Sequence, residues 1–456
     1  MRINKISVTN LFGIFNHTIS LKLDERITII HGPNGFGKTI LLRMLNGLFN
    51  SSYSEFSNIP FNEFRVEFDD ERQLVVSKSN KKNHKSKTPP PSLYLISWDL
   101  QKSEDFSLID IDILNDSRSI KEFTNFIEKN IPEIIRIDYR NWLDSRTKEP
   151  LSLGDVLARV RKLFPDKIGE IYREPNWLIN VKESVNVRLI EAQRLLNLSL
   201  IESQMLLTSS NVFRGRGYPI RSSPIASVAA YSEEIAEHIQ GKLAEYGELA
   251  QSLDRTFPAR VVKRIAPSDL TDEKIHTKLG EIEEKRYRLI EAGLLNQDED
   301  PDFQVDMPID KTAKNILSVY VEDVENKLRV FQELAQKIEI LKRIINSRFC
   351  YKSISVNKDK GFIFQSHDGT ALSPANLSSG EQHQLIMLYE LLFKSQPNSL
   401  ILIDEPELSL HVAWQAQFLK DLQEIAKLVN IDVLMATHSP DIISDRWDLT
   451  VELKGP

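Results

Sequence analysis

Gly32-Pro33-Asn34-Gly35-Phe36-Gly37-Lys38-Thr39 fits the spacing G-x-x-x-x-G-K-[ST], in which glycines let a short turn fold its backbone N–H groups inward at the start of a helix. Such a turn can cradle the β- and γ-phosphates of a nucleotide, with Lys38 supplying positive charge and the Thr39 hydroxyl a ligand for Mg²⁺. Candidate contacts are Gly32, Asn34, Gly35, Phe36, Gly37, Lys38, Thr39 and the next residue, Ile40. The flanks suit this reading. Arg26-Ile27-Thr28-Ile29-Ile30 is almost wholly apolar, as a buried central strand should be, and Leu41, Leu42, Met44, Leu45 and Leu48 fall at helical spacing. Strand, glycine turn and helix form the first unit of an α/β domain.

Far along the chain, two more short β-branched runs, Ser399 to Ile403 and Ile431 to Met435, read as further central strands of the same sheet. Both ends of the chain then build one core around an insertion. Residues 354–356 and 362–364 are also expected as strands, with a hairpin turn at Asp368-Gly369.

The insertion is expected over 227–346. Val228, Tyr231, Ile235, Ile239, Tyr246 and Leu253 keep helical spacing, and Ile316, Tyr320, Val324, Leu328, Phe331, Ala335, Ile338, Leu341 and Ile345 repeat it over about four heptads. Prolines from Pro258 to Pro267 and from Pro301 to Pro308 predict breaks between at least three helices. The last helix, about 30 residues, would reach about 45 Å; periodicity alone fits a projecting coiled coil or a compact bundle. Residues 77–91, with five lysines from Lys78 to Lys87 and three prolines, read as an exposed loop. Residues 103–183 read as a mixed insert with helices at 119–129 and 153–163.

Composition bounds the partners. The 456 residues are 41% hydrophobic, which excludes wholesale disorder, and the net charge of −7 excludes a global basic field that would draw the chain onto DNA or anionic membrane. A lone cysteine, Cys350, excludes an internal disulfide framework and a multi-cysteine zinc site. No run approaches 18 apolar residues and the first residues lack an apolar leader core, so a soluble cytoplasmic protein without membrane contact is expected.

Three other segments carry chemistry. Leu400 to Glu405 delivers two carboxylates at the end of a buried strand, where open α/β sheets bind ligands. Asp404 can hold Mg²⁺ through water, and Glu405, on the opposite face by strand alternation, can polarise an attacking water; a solvated acidic turn before Pro406 is the plainer alternative. Leu377-Ser378-Ser379-Gly380-Glu381-Gln382 precedes an apolar helix. It reads either as an ordinary helix cap or as a helix N-terminus aimed at a phosphate of another subunit. His438, in Ala436-Thr437-His438-Ser439-Pro440, follows the last strand and either orients water near the γ-phosphate or is structural.

Taken in order, the glycine turn, L-S-S-G-E-Q, I-D-E-P-E-L-S-L-H and A-T-H-S-P resemble the ATP-binding-cassette ATPases of the chromosome-maintenance (SMC) and overcoming-lysogenization-defect type. Asn10-Leu11-Phe12-Gly13 is similar too, and the resemblance covers about 1–60 and 350–445. It implies an ABC-type P-loop NTPase head, α/β in class, with a helical, coiled-coil-like insertion. The head would comprise 1–200 and 347–456, the insertion 227–346. It also implies an ATPase using ATP and Mg²⁺, with Lys38, Glu405 and His438 catalytic and Thr39, Asp404 and Gln193 at the metal. Ser378, Ser379, Gly380 and Glu381 would complete the nucleotide site of a partner copy, and Ser409 to His411 would cross the interface, making the protein a homo-oligomer. Gln193 lies 155 residues after Lys38, farther than a minimal cassette needs, and a strand-end glutamine is the alternative; Val412 stands where a proline is expected.

Only 18 residues follow His438, too few for an appended nuclease domain, so any nuclease is expected as a separate polypeptide. Stand-alone ATPases of this kind resemble the ATPase subunits of the PARIS and Septu antiphage systems, and size, Leu11 to Phe15 and Leu253 to Pro258 favour the first. That resemblance implies a complex that holds a Toprim nuclease inactive and releases it on meeting a phage-encoded trigger protein such as a DNA mimic. An acidic trigger needs a basic receiver, for which Lys78 to Lys87 or Arg214, Arg216 and Arg221 are candidates, although solvated charge is the plainer reading and both could bind DNA phosphates. The alternative function is a DNA-repair or recombination ATPase that clamps DNA.

Overall fold

The computed structural model describes residues 1–50, 59–78, 91–96, 117–136, 142–145, 175–191, 224–264, 271–296 and 308–455. Isolated residues or pairs are described at 53, 55–56, 106–107, 150–151, 156, 159–160 and 163–164. The chain divides into two compact units, Met1–Ser227 with Ile386–Pro456, and Val228–Leu385.

The first unit is built on a parallel sheet in the order Val187–Glu191, Leu400–Asp404, Asp432–Ala436, Ile27–His31, Thr450–Glu452. Its three central strands are buried on both faces, which accounts for their unbroken apolar runs. Register aligns Asp404 with Ala436 and Ala436 with Ile30, so the residues that leave these strands do so at one level of the carboxyl edge. The helix Lys38–Phe49 packs over this sheet through Leu41, Leu42, Met44, Leu45 and Leu48, all at most 3% exposed. The same core continues into an antiparallel sheet, ordered Phe15–Ser20, Ile3–Leu11, Glu63–Phe68, Gln73–Lys78, Pro91–Ile96, Phe106–Ser107. Expectation and structure agree on the α/β class and on these central strands sharing one sheet.

Within 103–183 the helix Ser117–Asn130 matches the expected one, and a small antiparallel sheet of Pro150–Leu151, Trp142–Asp144 and Ile134–Arg136 stands between the expected helices, where no strand was named. Strands of two or three residues are too short to display alternation. They are held by packing, with Trp142 meeting Phe123 edge-on at 5.9 Å.

The second unit holds the helices Pro224–Lys263 (from Val228 on), Asp272–Glu291, Lys311–Arg329 and Gln332–Arg348. Thr271 and Asp310 cap two of them, accepting from the amides of Lys274 and Ala313. The expected break between Pro258 and Pro267 is found, with the first helix running through Pro258 and ending at Lys263. Pro258 has no N–H to give Asp254 O; one residue and two residues before that carbonyl, Arg260 donates to Leu253 O at 2.9 Å and Thr256 to Ser252 O and Leu253 O. One expectation is corrected. The long last helix is two helices, joined at Val330 and Phe331. Both junction residues stay in right-handed helical backbone space, and Phe331 N–H bonds back three residues to Leu328 O, so the ladder tightens without the chain turning away. The expected buried face holds from Val324 to Ile345, whereas Ile316 is exposed.

The strands 354–356 and 362–364 are likewise found, as Lys352–Asn357 and Gly361–Ser366, but with Ala371–Leu372 they make their own antiparallel sheet. Gly369, at φ 83°, makes the expected turn with Asp368. This hairpin rides on the helices. Asn346 exchanges two hydrogen bonds with Ile354, and Ser232 Oγ accepts from Phe362 N–H and donates to Lys360 O. The compact insertion unit therefore extends to Leu385, beyond the expected limit at 346.

Gly361 sits at φ 69°, and a Cβ there would stand far inside van der Waals contact distance of the Ser232 carbonyl oxygen. Gly361→Ala is expected to destabilise this unit by about 2 kcal/mol or more, read as a thermal unfolding shift of about 4–8 °C.

Candidate functional site

The loop Gly32–Gly37 leaves the carboxyl end of the strand Ile27–His31 and opens the helix Lys38–Phe49. Gly37 is at φ 89°, and a Cβ on it would stand 2.7 Å from Leu11 Cδ2; both the left-handed backbone and the tight seat demand glycine. The tip is tethered from the antiparallel sheet. Buried His17 lies with Nε2 2.9 Å from Phe36 O, and Phe15 packs on the Phe36 ring at 5.2 Å. Burial holds the His17 imidazole below its ordinary pKa, which favours a neutral ring able to donate Nε2–H to that carbonyl. Lys38 is 5% exposed, and its ammonium lies beneath the loop, donating to Gly32 O at 2.7 Å and Pro33 O at 3.2 Å. Asn34 and Gly35 are exposed, while Ile40 is half-buried in the first helical turn.

Thr39 Oγ1 donates to Asp404 Oδ1 at 3.2 Å, joining the glycine loop to the end of the carboxylate strand, which lies one strand away across Asp432–Ala436. Among the described residues no group of three or more His, Cys, Asp or Glu side chains could cage a metal. A hydroxyl beside one carboxylate suits Mg²⁺, a hard ion that keeps waters and takes its other oxygens from phosphates. Gln193, two residues past the strand Val187–Glu191 that pairs with Leu400–Asp404, lies outside the described residues.

Glu405 is not oriented by strand alternation, as expected, because it lies past the strand in left-handed backbone at φ 47°, ψ 57°. Its N–H is anchored on Ala436 O at 2.9 Å, and the side chain is 25% exposed. His438 Nδ1 lies 3.9 Å from Glu405 Oε1 and 2.9 Å from Glu407 Oε1. Glu407 was not expected at the site, yet it organises this corner: one oxygen accepts from the His438 amide and the other from Thr437 Oγ1, each at 2.9 Å. Its side chain is 7% exposed. Its signal in the sequence was only a second glutamate across Pro406. Gln415 was also missed; its Oε1 accepts from Ser439 Oγ at 2.7 Å and its Nε2 donates to Leu410 O, so it braces the 406–411 loop against the segment after His438. Ser409 is buried with its hydroxyl on Pro406 O, and His411 caps the following helix by accepting from Ala413 N–H.

In the second unit, Ser378 is a helix cap, as the plainer reading held. Its hydroxyl accepts from Glu381 N–H at 3.3 Å while Glu381 Oε2 accepts from Ser378 N–H at 2.6 Å. Among the described residues the hydroxyl proton has no acceptor. Ser379 and Gly380 begin the helix, their amides unbonded among the described residues, and a Cβ on Gly380 would meet nothing within 4 Å.

Lys78 is not part of an exposed loop. It ends the strand Gln73–Lys78, donates to Ile59 O and lies over the Phe61 ring, and burial lowers its pKa. The other candidate basic residues, Lys81 to Lys87 and Arg214, Arg216 and Arg221, fall outside the described residues.

A glycine loop that opens a helix, its lysine folded beneath it and its threonine on a strand-end carboxylate, defines a phosphate-loop ATPase. Residues 216–444, half of the chain, match the family described as "AAA domain, putative AbiEii toxin, Type IV TA system", and the chain belongs to that family. Two solved structures are similar: the Smc head domain with an extended coiled coil, bound to the C-terminal domain of ScpA, from Pyrococcus furiosus, and the SMC head domain from Thermotoga maritima. The first is 10% identical with a TM-score of 0.34, covering 100% of this chain and 94% of that one. The second is 9% identical with a TM-score of 0.32, covering 97% and 91%. Comparison with curated proteins gives no match. Among the described residues no helix is long and apolar enough to cross a membrane.

Proposed function

We propose that the protein is an ABC-type ATPase whose copies enclose ATP between the Gly32–Thr39 loop of one and the Ser378 turn of the other. The observation that carries this reading is the gathering of Lys38, Thr39, Asp404, Glu405 and His438 at one carboxyl sheet edge, with Thr39 bonded to Asp404. In it, the loop amides and Lys38 hold the β- and γ-phosphates. Thr39 and Asp404 hold Mg²⁺, which when bound supplies positive charge against the phosphoryl oxygens. Glu405 polarises the attacking water and His438, fixed by Glu407, orients it. Across the interface, the Ser378 hydroxyl and the amides of Ser379 and Gly380 supply further donors to the γ-phosphate. Gly380 supports this part: a glycine inside a first helical turn weakens the helix and nothing in its surroundings requires it, whereas close approach by a ligand would.

The wider role is that of the nucleotide-gated subunit of an antiphage complex, which holds a separate nuclease and releases it when a phage protein engages. The ordered motifs support it, together with membership of a family described by a toxin of a toxin–antitoxin system.

Complementation tests the shared site. Lys38→Ala and Ser378→Arg should each be inactive alone. Mixed, they form pairs in which one site has both an intact loop and an intact serine turn, so a substantial part of wild-type phosphate release should return. No recovery on mixing two folded, inactive variants would refute the composite site. Isolation of the tagged protein from its native operon tests the wider role, which requires a stoichiometric nuclease companion.

A further inference from the structure

A capping-box glutamate ordinarily sits at a helix surface in water. Glu381 is only 8% exposed, and the oxygen that accepts from Ser378 N–H also accepts from Lys352 Nζ at 2.8 Å. The same ammonium donates to Asn376 O at 2.9 Å, so Lys352 grips the Ser378 turn both before and after the serine. Lys352 is the first residue of the hairpin strand Lys352–Asn357, which Asn346 and Ser232 tie to the helices of the insertion. Four residues earlier, Arg348 ends the helix Gln332–Arg348 and is 6% exposed. With the Gln384 amide oxygen turned toward it, Arg348 donates Nε–H at 3.1 Å to the helix that Ser378 caps.

Between these two grips stands Tyr351, 83% exposed and at φ 58°, a left-handed conformation that a bulky aromatic avoids. His367 N–H holds its carbonyl at 2.9 Å. Strain at a junction persists only where the surroundings enforce it. Here it sets the angle at which the chain leaves the helix and presents Lys352 to Glu381.

We propose that Lys352 is a positioning residue through which the helical insertion aims the Ser378 turn, so that movement of the insertion alters assembly and turnover without touching the glycine loop. The readout rests on the composite site proposed above; the grip itself does not. When the hairpin shifts, the ammonium carries the Glu381 carboxylate with it. That carboxylate fixes the Ser378 amide, and the serine hydroxyl follows.

The test compares Lys352→Met, Lys352→Arg, Glu381→Gln and the Lys352→Met/Glu381→Gln double variant, measuring fluorescent ATP-analogue binding, ATP-dependent assembly and kcat. Lys352→Met should lower assembly and kcat about tenfold or more, as expected for loss of a charge-assisted hydrogen bond to a buried carboxylate. Analogue binding to single subunits should stay within about twofold, because the change lies outside the loop that binds it. Lys352→Arg should restore most of the loss, and the double variant should be no worse than Glu381→Gln alone. Wild-type assembly by Lys352→Met, additive losses in the double variant, or a lowered unfolding temperature that Lys352→Arg fails to rescue would each overturn the proposal. If Lys38→Ala and Ser378→Arg fail to complement while Lys352→Met still slows turnover, the composite site falls and the grip stands. If they complement and Lys352→Met is silent, the grip alone falls.

Discussion

Replacing Lys38 with alanine is expected to lower ATP turnover by about 10²- to 10³-fold or more, the loss typical of removing one preorganised donor from a developing charge. The ammonium is nearly buried yet makes no ion pair among the described residues; its hydrogen bonds go to two loop carbonyls, Gly32 O and Pro33 O. A cation held this way is placed for an anion that enters the loop. The fold should survive, because the helix it starts is seated by Leu41, Leu42, Met44, Leu45 and Leu48, none of which the change touches. The two carbonyls lose a donor, but the loop around them lies at the surface, where water can replace it. Phosphate release and nucleotide binding measure the effect, with thermal unfolding as the control. A folded Lys38→Ala protein that turns over ATP at the wild-type rate would mean that the phosphates bind elsewhere.

What the sequence disclosed depended on whether the signal was local. The glycine turn and its flanks could be read because a strand buried on both faces must be apolar throughout and a phosphate loop needs glycines at fixed offsets. The carboxylate strand and the strand before His438 were legible for the same reason, and so was their sharing one sheet. Glu405 was named but its geometry was not: its orientation comes from a left-handed backbone beyond the strand, fixed by a hydrogen bond to Ala436 from a strand adjacent only in space. Glu407 and Gln415 work through Thr437, His438 and Ser439, more than 20 residues further on, and no spacing rule connects them. The prolines from Pro258 to Pro267 marked the end of the first insertion helix, which passes Pro258 and stops at Lys263. The limit of the insertion was hidden in contacts of Asn346 and Ser232 with a hairpin whose own sequence reads simply as strand.

Glu405→Gln should slow hydrolysis by about 10²- to 10⁴-fold, the usual contribution of a positioned general base, while ATP binding is kept and the ATP-bound assembly accumulates. Glutamine is the informative change because it keeps the length of the side chain and demands no different backbone at φ 47°, so loss of negative charge is the main alteration. The surroundings should hold. His438 Nδ1 is nearer to Glu407 than to Glu405, 2.9 against 3.9 Å, and Glu407 keeps its bonds to the His438 amide and Thr437. The His438 ring therefore stays in place, and what disappears is the ability to take a proton from water. Sizing in the presence of ATP and Mg²⁺ should show the variant as a stable oligomer under conditions in which the wild type exchanges as it turns over. Single-turnover measurements should place the loss in the chemical step and not in ATP capture. The contrast with Lys38→Ala gives the pair its force. One change prevents nucleotide from being gripped and the other prevents it from being spent, so they should drive the oligomer in opposite directions although their side chains flank one sheet edge. Turnover by purified Glu405→Gln at the wild-type rate would remove Glu405 as the base and leave the left-handed turn at 405 without a chemical purpose.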